Sequence, residues 1–191
     1  MGIECCGKVG NKMKKYKIIY ADPPWPYDNP MNNDPKLGGK TYPVLSMAEI
    51  KKLPIQGISE DDCCLFLWAT MPKLQEALEV IKAWGFKYTT CAFVWIKLNP
   101  NGKGIYSGLG HWTNGNAELV LFAKKGHPKR AVKNIKQIQM YSRGKHSAKP
   151  KEIRQEIVKL IGDVPRIELF ARDKEKGWDA WGNEIESDIK L

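Results

Sequence analysis

The chain has 191 residues, of which 42% are hydrophobic and 27% charged, so it carries enough apolar material for one globular domain and is not a disordered segment. Lysine and arginine number 31 against 21 for aspartate and glutamate, which gives a formal net charge of +10. This excess favours a polyanionic partner such as nucleic acid, and the alternative is a soluble basic protein without one. The longest apolar run, Cys63–Ala69, is far below the roughly 20 residues that cross a bilayer, so no membrane association is expected.

The cysteines and histidines follow no metal-binding spacing. We therefore expect free thiols, no metal and a reducing, cytoplasmic location. The first 14 residues lack an apolar signal core and are predicted to be a flexible leader, which is followed by a single domain over residues 15–191.

In chain order, short apolar segments alternate with amphipathic ones. A strand is predicted first, then a long loop (Asp22–Leu45), a short helix capped by Ser46 and Glu49, a second strand, and a helix between Pro72 and Gly85. A third strand, a glycine-rich loop (residues 99–116), a fourth strand, a basic segment, a helix over residues 150–161 and a last strand complete the pattern. The five predicted strands are Lys15–Ala21, Cys63–Ala69, Tyr88–Lys97, Glu118–Ala123 and Arg166–Phe170.

This alternation predicts an α/β fold, a mostly parallel sheet with helices on both faces. Ligands of such sheets bind beyond the carboxyl ends of the strands. The sequence Asp22-Pro23-Pro24-Trp25 follows the first strand directly. Proline restricts its own φ and the residue before it, so the turn is stiff, and a carboxylate beside a proline carbonyl offers two acceptors for an amino group. Trp25 adds a face for a planar ring. A proline-rich exit turn without function is the alternative.

At these residues the chain resembles the amino-group methyltransferases that carry the D-P-P-W motif, a family related to the seventy-kilodalton subunit of the mRNA adenosine methyltransferase. The resemblance extends from about residue 16 to residue 185. Besides Ala21–Trp25, it is carried by Leu65–Thr70, Gly110–Trp112, Glu118, His146–Pro150, Ile167–Arg172 and Trp181–Glu184. The compact form is closer to bacterial and phage members than to the eukaryotic subunits.

The resemblance implies a Rossmann-like methyltransferase domain in permuted order, with the catalytic strand early and the donor strand late. It implies S-adenosylmethionine as the methyl donor, no metal, and N6-methyladenine in nucleic acid as the product, with DNA favoured over RNA. The implied catalytic residues are Asp22, Pro23, Pro24 and Trp25. The implied donor-binding residues are Asp22, Lys149, Arg172, Asn183 and Glu184, and the implied substrate-binding residues are Tyr42, Trp112, Glu118 and Lys149.

Each of these assignments has a structural alternative. Lys149 lies in a basic stretch and would otherwise be a solvated lysine. Asn183 and Glu184 would otherwise form a polar helix cap, and Tyr42 and Trp112 would otherwise be packing residues. Ala171 stands where family members often have glycine, and the loop at residues 173–177 is short, which leaves the donor contacts open.

Two other functions are compatible with the sequence. One is a catalytically silent methyltransferase-like subunit that binds nucleic acid, although such subunits typically have a degraded acidic position and Asp22 is intact. The other is a cytosine-N4 methyltransferase, a group that more often has serine at that position. The basic stretch Lys124–Lys151 is a candidate for phosphate contact. Whether the chain acts alone or as a homo- or heterodimer is left open.

Overall fold

A seven-stranded sheet organises the computed structural model, which describes residues 14–26, 45–110, 112–144 and 148–191. The predicted leader and most of the first long loop, including Tyr42, lie outside these residues. The strands are β1 (Tyr16–Ala21), β2 (Ser59–Ala69), β3 (Lys87–Leu98), β4 (Ala117–Lys125), β5 (Ile138–Ser142), β6 (Arg166–Leu169) and β7 (Asp179–Trp181). The helices are α1 (Met47–Lys52), α2 (Ile55–Ile58), α3 (Leu74–Ala83), which a 3₁₀ turn at Met71–Lys73 precedes, and α4 (Lys151–Ile161).

The strand order is β5-β3-β4-β2-β1-β6-β7, and among these strands only β4 runs against the others. The prediction of a mostly parallel sheet is confirmed. The reversal of β4 has a consequence for function, because it brings the beginning of β4 to the carboxyl ends of its neighbours. Ala69 at the end of β2 pairs with Leu119, and Trp95 near the end of β3 pairs with Glu118. We call this side of the sheet the carboxyl edge.

Helices cover both faces, as the apolar pattern predicts. Along β1, Ile19 and Ala21 face the layer of α1 and α3, whereas Ile18 and Tyr20 face the layer of α4. All four side chains are buried because β1 lies inside the sheet. This double burial explains why the strand is apolar at nearly every position and does not alternate.

The connections of β1 and β6 lie on opposite faces of the sheet, which makes the space beyond their carboxyl ends a topological switch point, here called the crevice. The chain leaves β1 through α1 and α2 on one face and enters β6 from α4 on the other. In open α/β sheets such a reversal point, at the carboxyl ends of the strands, is where ligands bind. Within the described residues, no helix is long and apolar enough to cross a membrane.

Two edge strands were not predicted from the sequence. In β5 the apolar side chains Ile138 and Met140 are exposed, whereas Gln139 is buried and Tyr141 is half-buried. This inverted pattern, inside a basic segment, gives no signal of a half-buried strand. β7 has only three residues, too few for a period to be recognised.

Candidate active site

Asp22 is the first residue beyond β1, at the crevice between β1 and β6. Its backbone N–H donates to the carbonyl of Leu169 at the end of β6, with a distance of 3.4 Å. The carboxylate is 25% exposed, so a ligand in the crevice could reach it. Asp22 thus lies at the carboxyl edge, as predicted from its position directly after the first strand.

Lys149 joins the two acidic groups of the edge. Its Nζ lies 3.2 Å from Oδ2 of Asp22 and 2.9 Å from Oε2 of Glu118. The ammonium also lies over the indole of Trp68, 5.0 Å from the ring centroid, and the Nε1–H of Trp68 donates to the hydroxyl of Tyr20. The buried indole of Trp68 is thus held in place by Tyr20 and packs beneath the Lys149 ammonium.

Glu118 reaches the carboxyl edge because β4 is antiparallel. Its Oε1 lies 2.6 Å from Nζ of Lys97, the second cation on this carboxylate. Its Oε2 is buried and accepts no hydrogen bond of good geometry from the described residues, although Lys149 is close. The carboxylate is paired with two ammonium groups at the carboxyl edge, beside Asp22. Glu118 is therefore a candidate for direct ligand contact.

Lys97 was not among the predicted site residues. It contacts Glu118 from the end of the third predicted strand, and its ammonium lies 5.3 Å from the ring centroid of Trp95. The one signal in the sequence was its position, because the carboxyl ends of strands point to the ligand side of such a sheet.

Burial and charge set the protonation of the site in opposite directions. Burial raises the pKa of Asp22, and the nearby Glu118 raises it further, while Lys149 counteracts both. Burial acts in the same direction on Glu118, but Lys149 and Lys97 overcome it and lower the pKa of that carboxyl. The pKa of Lys149 is raised, because its two carboxylate partners outweigh the effect of burial. Compared with ordinary carboxyl groups, the site therefore favours the ionised form of Glu118 and disfavours that of Asp22.

The turn after Asp22 departs from the expected geometry in two respects. The carbonyl of Pro23 accepts a hydrogen bond from the N–H of Trp25 at 2.9 Å, so one of its two lone pairs is engaged and one remains for a ligand. The indole of Trp25 is only 7% exposed, and its Nε1–H donates to the carbonyl of Trp68 at 3.2 Å. Little of this ring is left for stacking on a base. The indole instead attaches the turn to the end of β2 through its hydrogen bond to Trp68.

The predicted donor residues meet at the neighbouring strand ends. Ala171 is buried against Gly182, where an added Cβ would collide with the carbonyl oxygen of Ala171. This close approach brings Arg172 beside Glu184, with Nε 3.6 Å from Oε1, and both side chains remain substantially exposed. Asn183 lies exposed in the same turn.

Phe170 precedes this contact with a φ of 61°, which is rare for a residue with a large side chain. Its ring packs edge-on against Trp181, with centroids 5.3 Å apart. Backbone strain of this kind costs roughly 1–3 kcal/mol and tends to occur at functional sites. The conformation redirects the chain from β6 toward the crevice.

The structure does not gather all of the predicted residues. Trp112 is 98% exposed on the loop between β3 and β4, so its ring packs against none of the charged groups above. The basic stretch is also spread widely. Lys149 lies at the carboxyl edge, whereas Lys124, Lys129 and Arg130 line a cavity of about 700 Å³ near the opposite edge.

The fold is that of a Rossmann-like methyltransferase domain, and Asp22, Glu118 and Lys149 meet at its carboxyl edge. Residues 16–184 match the model of the MT-A70 family, so the chain belongs to that family. No group of side chains that could hold a metal ion occurs among the described residues.

Several relatives are named as methyltransferases. The chain is 38% identical to the type II methyltransferase M.MunI of a Mycoplasma species, over 90% of this chain and 78% of that protein. It is 28% identical to the human N(6)-adenosine-methyltransferase catalytic subunit METTL3, over 90% of this chain but 28% of the subunit. Human N(6)-adenine-specific methyltransferase METTL4 is 26% identical, over 96% of this chain and 40% of that protein.

Proposed function

We propose that the chain is an S-adenosylmethionine-dependent methyltransferase that modifies the N6 amine of adenine in nucleic acid, with DNA favoured over RNA. The observation that carries the proposal is the placement of Asp22 at the crevice, 3.2 Å from Lys149, with the carboxylate of Glu118 on the same ammonium. Membership of the MT-A70 family supports it, as do relatives named for adenine or adenosine methylation. The preference for DNA rests on the similarity to the type II methyltransferase M.MunI, of which the chain covers 78% at 38% identity, against 28% of METTL3 at 28% identity.

The amine would be held by acceptors. An exocyclic amine is a weak nucleophile because its lone pair is delocalised into the ring. The carboxylate of Asp22 and the free lone pair of the Pro23 carbonyl would each accept one of its two hydrogens, which directs the nitrogen lone pair out of the ring plane. The ionised carboxylate of Asp22 is the stronger acceptor for the amine. It could also take up the proton that the nitrogen loses on methylation, which would otherwise pass to solvent. Positioning and fixed electrostatics would supply most of the rate enhancement.

The residues of the crevice suit the proposed donor. S-adenosylmethionine, when bound, supplies an electrophilic methyl group on a sulfonium. The carboxylate of Asp22 would face the positive centre, that of Glu184 would accept from ribose hydroxyls, and the cations of Lys149 and Arg172 would face the carboxylate end. This mixture of charges fits a molecule that carries both signs.

The test is mass spectrometry of nucleosides from oligonucleotides that have been incubated with the protein and the donor. We expect N6-methyladenine, and we expect Asp22→Ala to lower its rate of formation by roughly 10²–10³-fold, the loss typical of a positioned hydrogen-bonding group. Asp61→Ala is the matched control, because this exposed carboxylate lies near the opposite end of β2 and should leave the rate unchanged.

Each remaining alternative predicts a different result. N4-methylcytosine as the product would identify a cytosine enzyme. Calorimetry that detects no binding of the donor would identify a silent subunit. Methylation that persists in Asp22→Ala would contradict the role of the carboxylate.

A further inference from the structure

Two apolar side chains at the tip of one loop contact almost nothing in the protein. The side chains of Leu109 and Trp112 have relative exposures of 103% and 98%, the largest among the exposed apolar residues. Burying such a side chain is worth roughly 1.5–3 kcal/mol. Single exposed apolar residues are common in proteins, but two so fully exposed on one turn indicate a contact surface.

The turn that carries them has a narrow, defined shape. Gly108 and Gly115 pair as an isolated antiparallel bridge, in which the N–H of Gly115 donates to the carbonyl of Gly108 at 3.1 Å. A Cβ on Gly108 would lie 2.6 Å from the carbonyl oxygen of Gly115, and one on Gly110 would collide with that of Thr113. Glycine thus permits a backbone approach that a larger residue would prevent. We call the described residues of this turn, 108–110 and 112–115, the tip hairpin.

The tip hairpin is rooted at the carboxyl edge. The N–H of Lys97 donates to the carbonyl of Asn116, and the N–H of Tyr106 donates to the carbonyl of Lys97, both at 2.8 Å. Lys97 in turn holds Glu118 through its side chain. The guanidinium of Arg143 stacks on the ring of Tyr106, 4.1 Å from its centroid, and places a cation at the base of the loop. The apolar tip therefore projects from the same edge as the site around Asp22.

The charge of the chain favours nucleic acid, rather than a second copy of the chain, as the partner of the tip hairpin. Residues 99–116 contain no aspartate or glutamate, and the whole chain carries a net charge of +10. The loop can therefore approach phosphates without repulsion, whereas two copies of the chain repel each other. Two side chains on a narrow tip also offer far less area than the roughly 800 Å² per partner of a stable protein interface.

We propose that the tip hairpin inserts Leu109 and Trp112 into the base stack of a duplex, where they fill the gap left by an extruded adenine, so that the substrate is double-stranded. The inference rests on the proposed function. An adenine inside a duplex cannot present its amine to Asp22, and extrusion costs a few kcal/mol of lost stacking. Apolar wedges that enter between bases offset such a cost in other nucleic-acid-binding proteins. A single strand, whose bases are already accessible, needs no wedge.

The experiment compares one DNA fragment as a duplex and after heat denaturation, with wild type, Leu109→Ala, Trp112→Ala and the double variant. We expect the ratio of the duplex rate to the single-strand rate to fall at least tenfold in the double variant. Trp112→Phe should keep a higher duplex-to-single-strand ratio than Trp112→Ala, because an aromatic ring is retained. Ile105→Ala is the matched control, an exposed apolar residue of the same loop outside the tip hairpin, and should keep the wild-type ratio.

A second readout does not require methyl transfer. A duplex that carries 2-aminopurine at adenine positions should fluoresce more strongly when wild type binds and unstacks the base, and the double variant should abolish this increase. If the double variant keeps the wild-type ratio and the fluorescence increase, the wedge is refuted even where N6-methyladenine is formed. A change from dimer to monomer in the double variant, measured by light scattering, would instead assign the tip to a second copy and overturn the proposal. Failure of wild type to methylate either substrate refutes the proposed function alone, since the fluorescence still tests the wedge.

Discussion

The ammonium of Lys149 lies between the carboxylates of Asp22 and Glu118, where it neutralises part of their mutual repulsion. Without that cation, two acids that share one edge would compete for ionisation. The buried Trp68 indole beneath it limits where the ammonium can move. At the scale of the residue, the chemistry of Asp22 therefore depends on a lysine that is 127 positions away in the sequence.

This dependence predicts a shift in the pH profile of Lys149→Gln. Burial already raises the pKa of Asp22, and removal of Lys149 removes the charge that opposes the rise. Because the ionised carboxylate is the stronger acceptor and can take up the proton that the amine loses, activity falls as pH drops through this pKa, and the acidic limb should move to higher pH. Single-turnover rates between pH 4 and 9, each normalised to the variant's own plateau, would measure the shift. Lys151→Gln, an exposed neighbour, should leave the limb in place, and an unmoved limb in Lys149→Gln would contradict the coupling.

At the scale of the element, one buried ion pair attaches α4 to β6. Arg154 donates to both carboxylate oxygens of Glu168, with distances of 2.6 and 2.7 Å, and both side chains are buried. Burial raises the pKa of Glu168 although Arg154 counteracts it. Lys149 lies two residues before the start of α4, so the pair also anchors the element that positions the site lysine.

We expect Arg154→Met to lower the free energy of unfolding by roughly 3–5 kcal/mol, because Glu168 is left buried without its partner. Urea titration followed by circular dichroism measures the loss. Lys51→Met removes the exposed pair of Lys51 with Glu79 and should cost about 1 kcal/mol or less. If Arg154→Met were as mild as that control, the pair would not anchor the helix.

The contact between the turns after β6 and β7 is a second element-scale feature. Gly182→Ala would drive a methyl group into the carbonyl of Ala171 and separate Arg172 from Glu184. We expect at least a tenfold loss of affinity for S-adenosylmethionine, measured by calorimetry. Gly144→Ala is the control, since its nearest contact beyond its neighbours would be an ordinary 3.7 Å to Ala148, and it should bind as wild type does. Equal affinities in the two variants would place the donor elsewhere.

At the scale of the whole molecule, positive charge is distributed over several surfaces. The basic stretch of the sequence runs from the cavity lined by Lys124, Lys129 and Arg130 to Lys149 at the carboxyl edge. Lys124, Lys129 and Arg130 form no ion pair within the part of the chain that the structure describes. Cations without carboxylate partners are available to phosphates.

We expect the affinity for nucleic acid to fall steeply with salt, since each neutralised phosphate releases a counterion. Fluorescence anisotropy of a labelled duplex between 50 and 200 mM salt should give a log–log slope of about −3 or steeper, which corresponds to several phosphate contacts. Binding of the donor among partly buried groups should change far less over this range. A flat response of duplex binding would show that the basic surfaces are only solvated.

Local patterns in the sequence determined much of the fold and the placement of one acid. The buried strands were predictable because strands covered on both faces are apolar at nearly every position, as in β1 and the Cys63–Ala69 part of β2. Asp22 was predictable as a site residue because it follows such a strand directly. β5 was not, since its apolar residues face outward and its polar Gln139 faces inward.

The tertiary structure decided which charges meet. Lys97, Glu118 and Lys149 come from three separate segments, and they converge only because β4 runs antiparallel between β2 and β3 and because α4 begins beside the crevice. Likewise, the tertiary structure turned the indole of Trp25 inward and left that of Trp112 in solvent. The hydrophobic pattern of a segment depends only on that segment's own residues. The partner of a charged side chain depends on the order and direction of the strands, which no single segment determines.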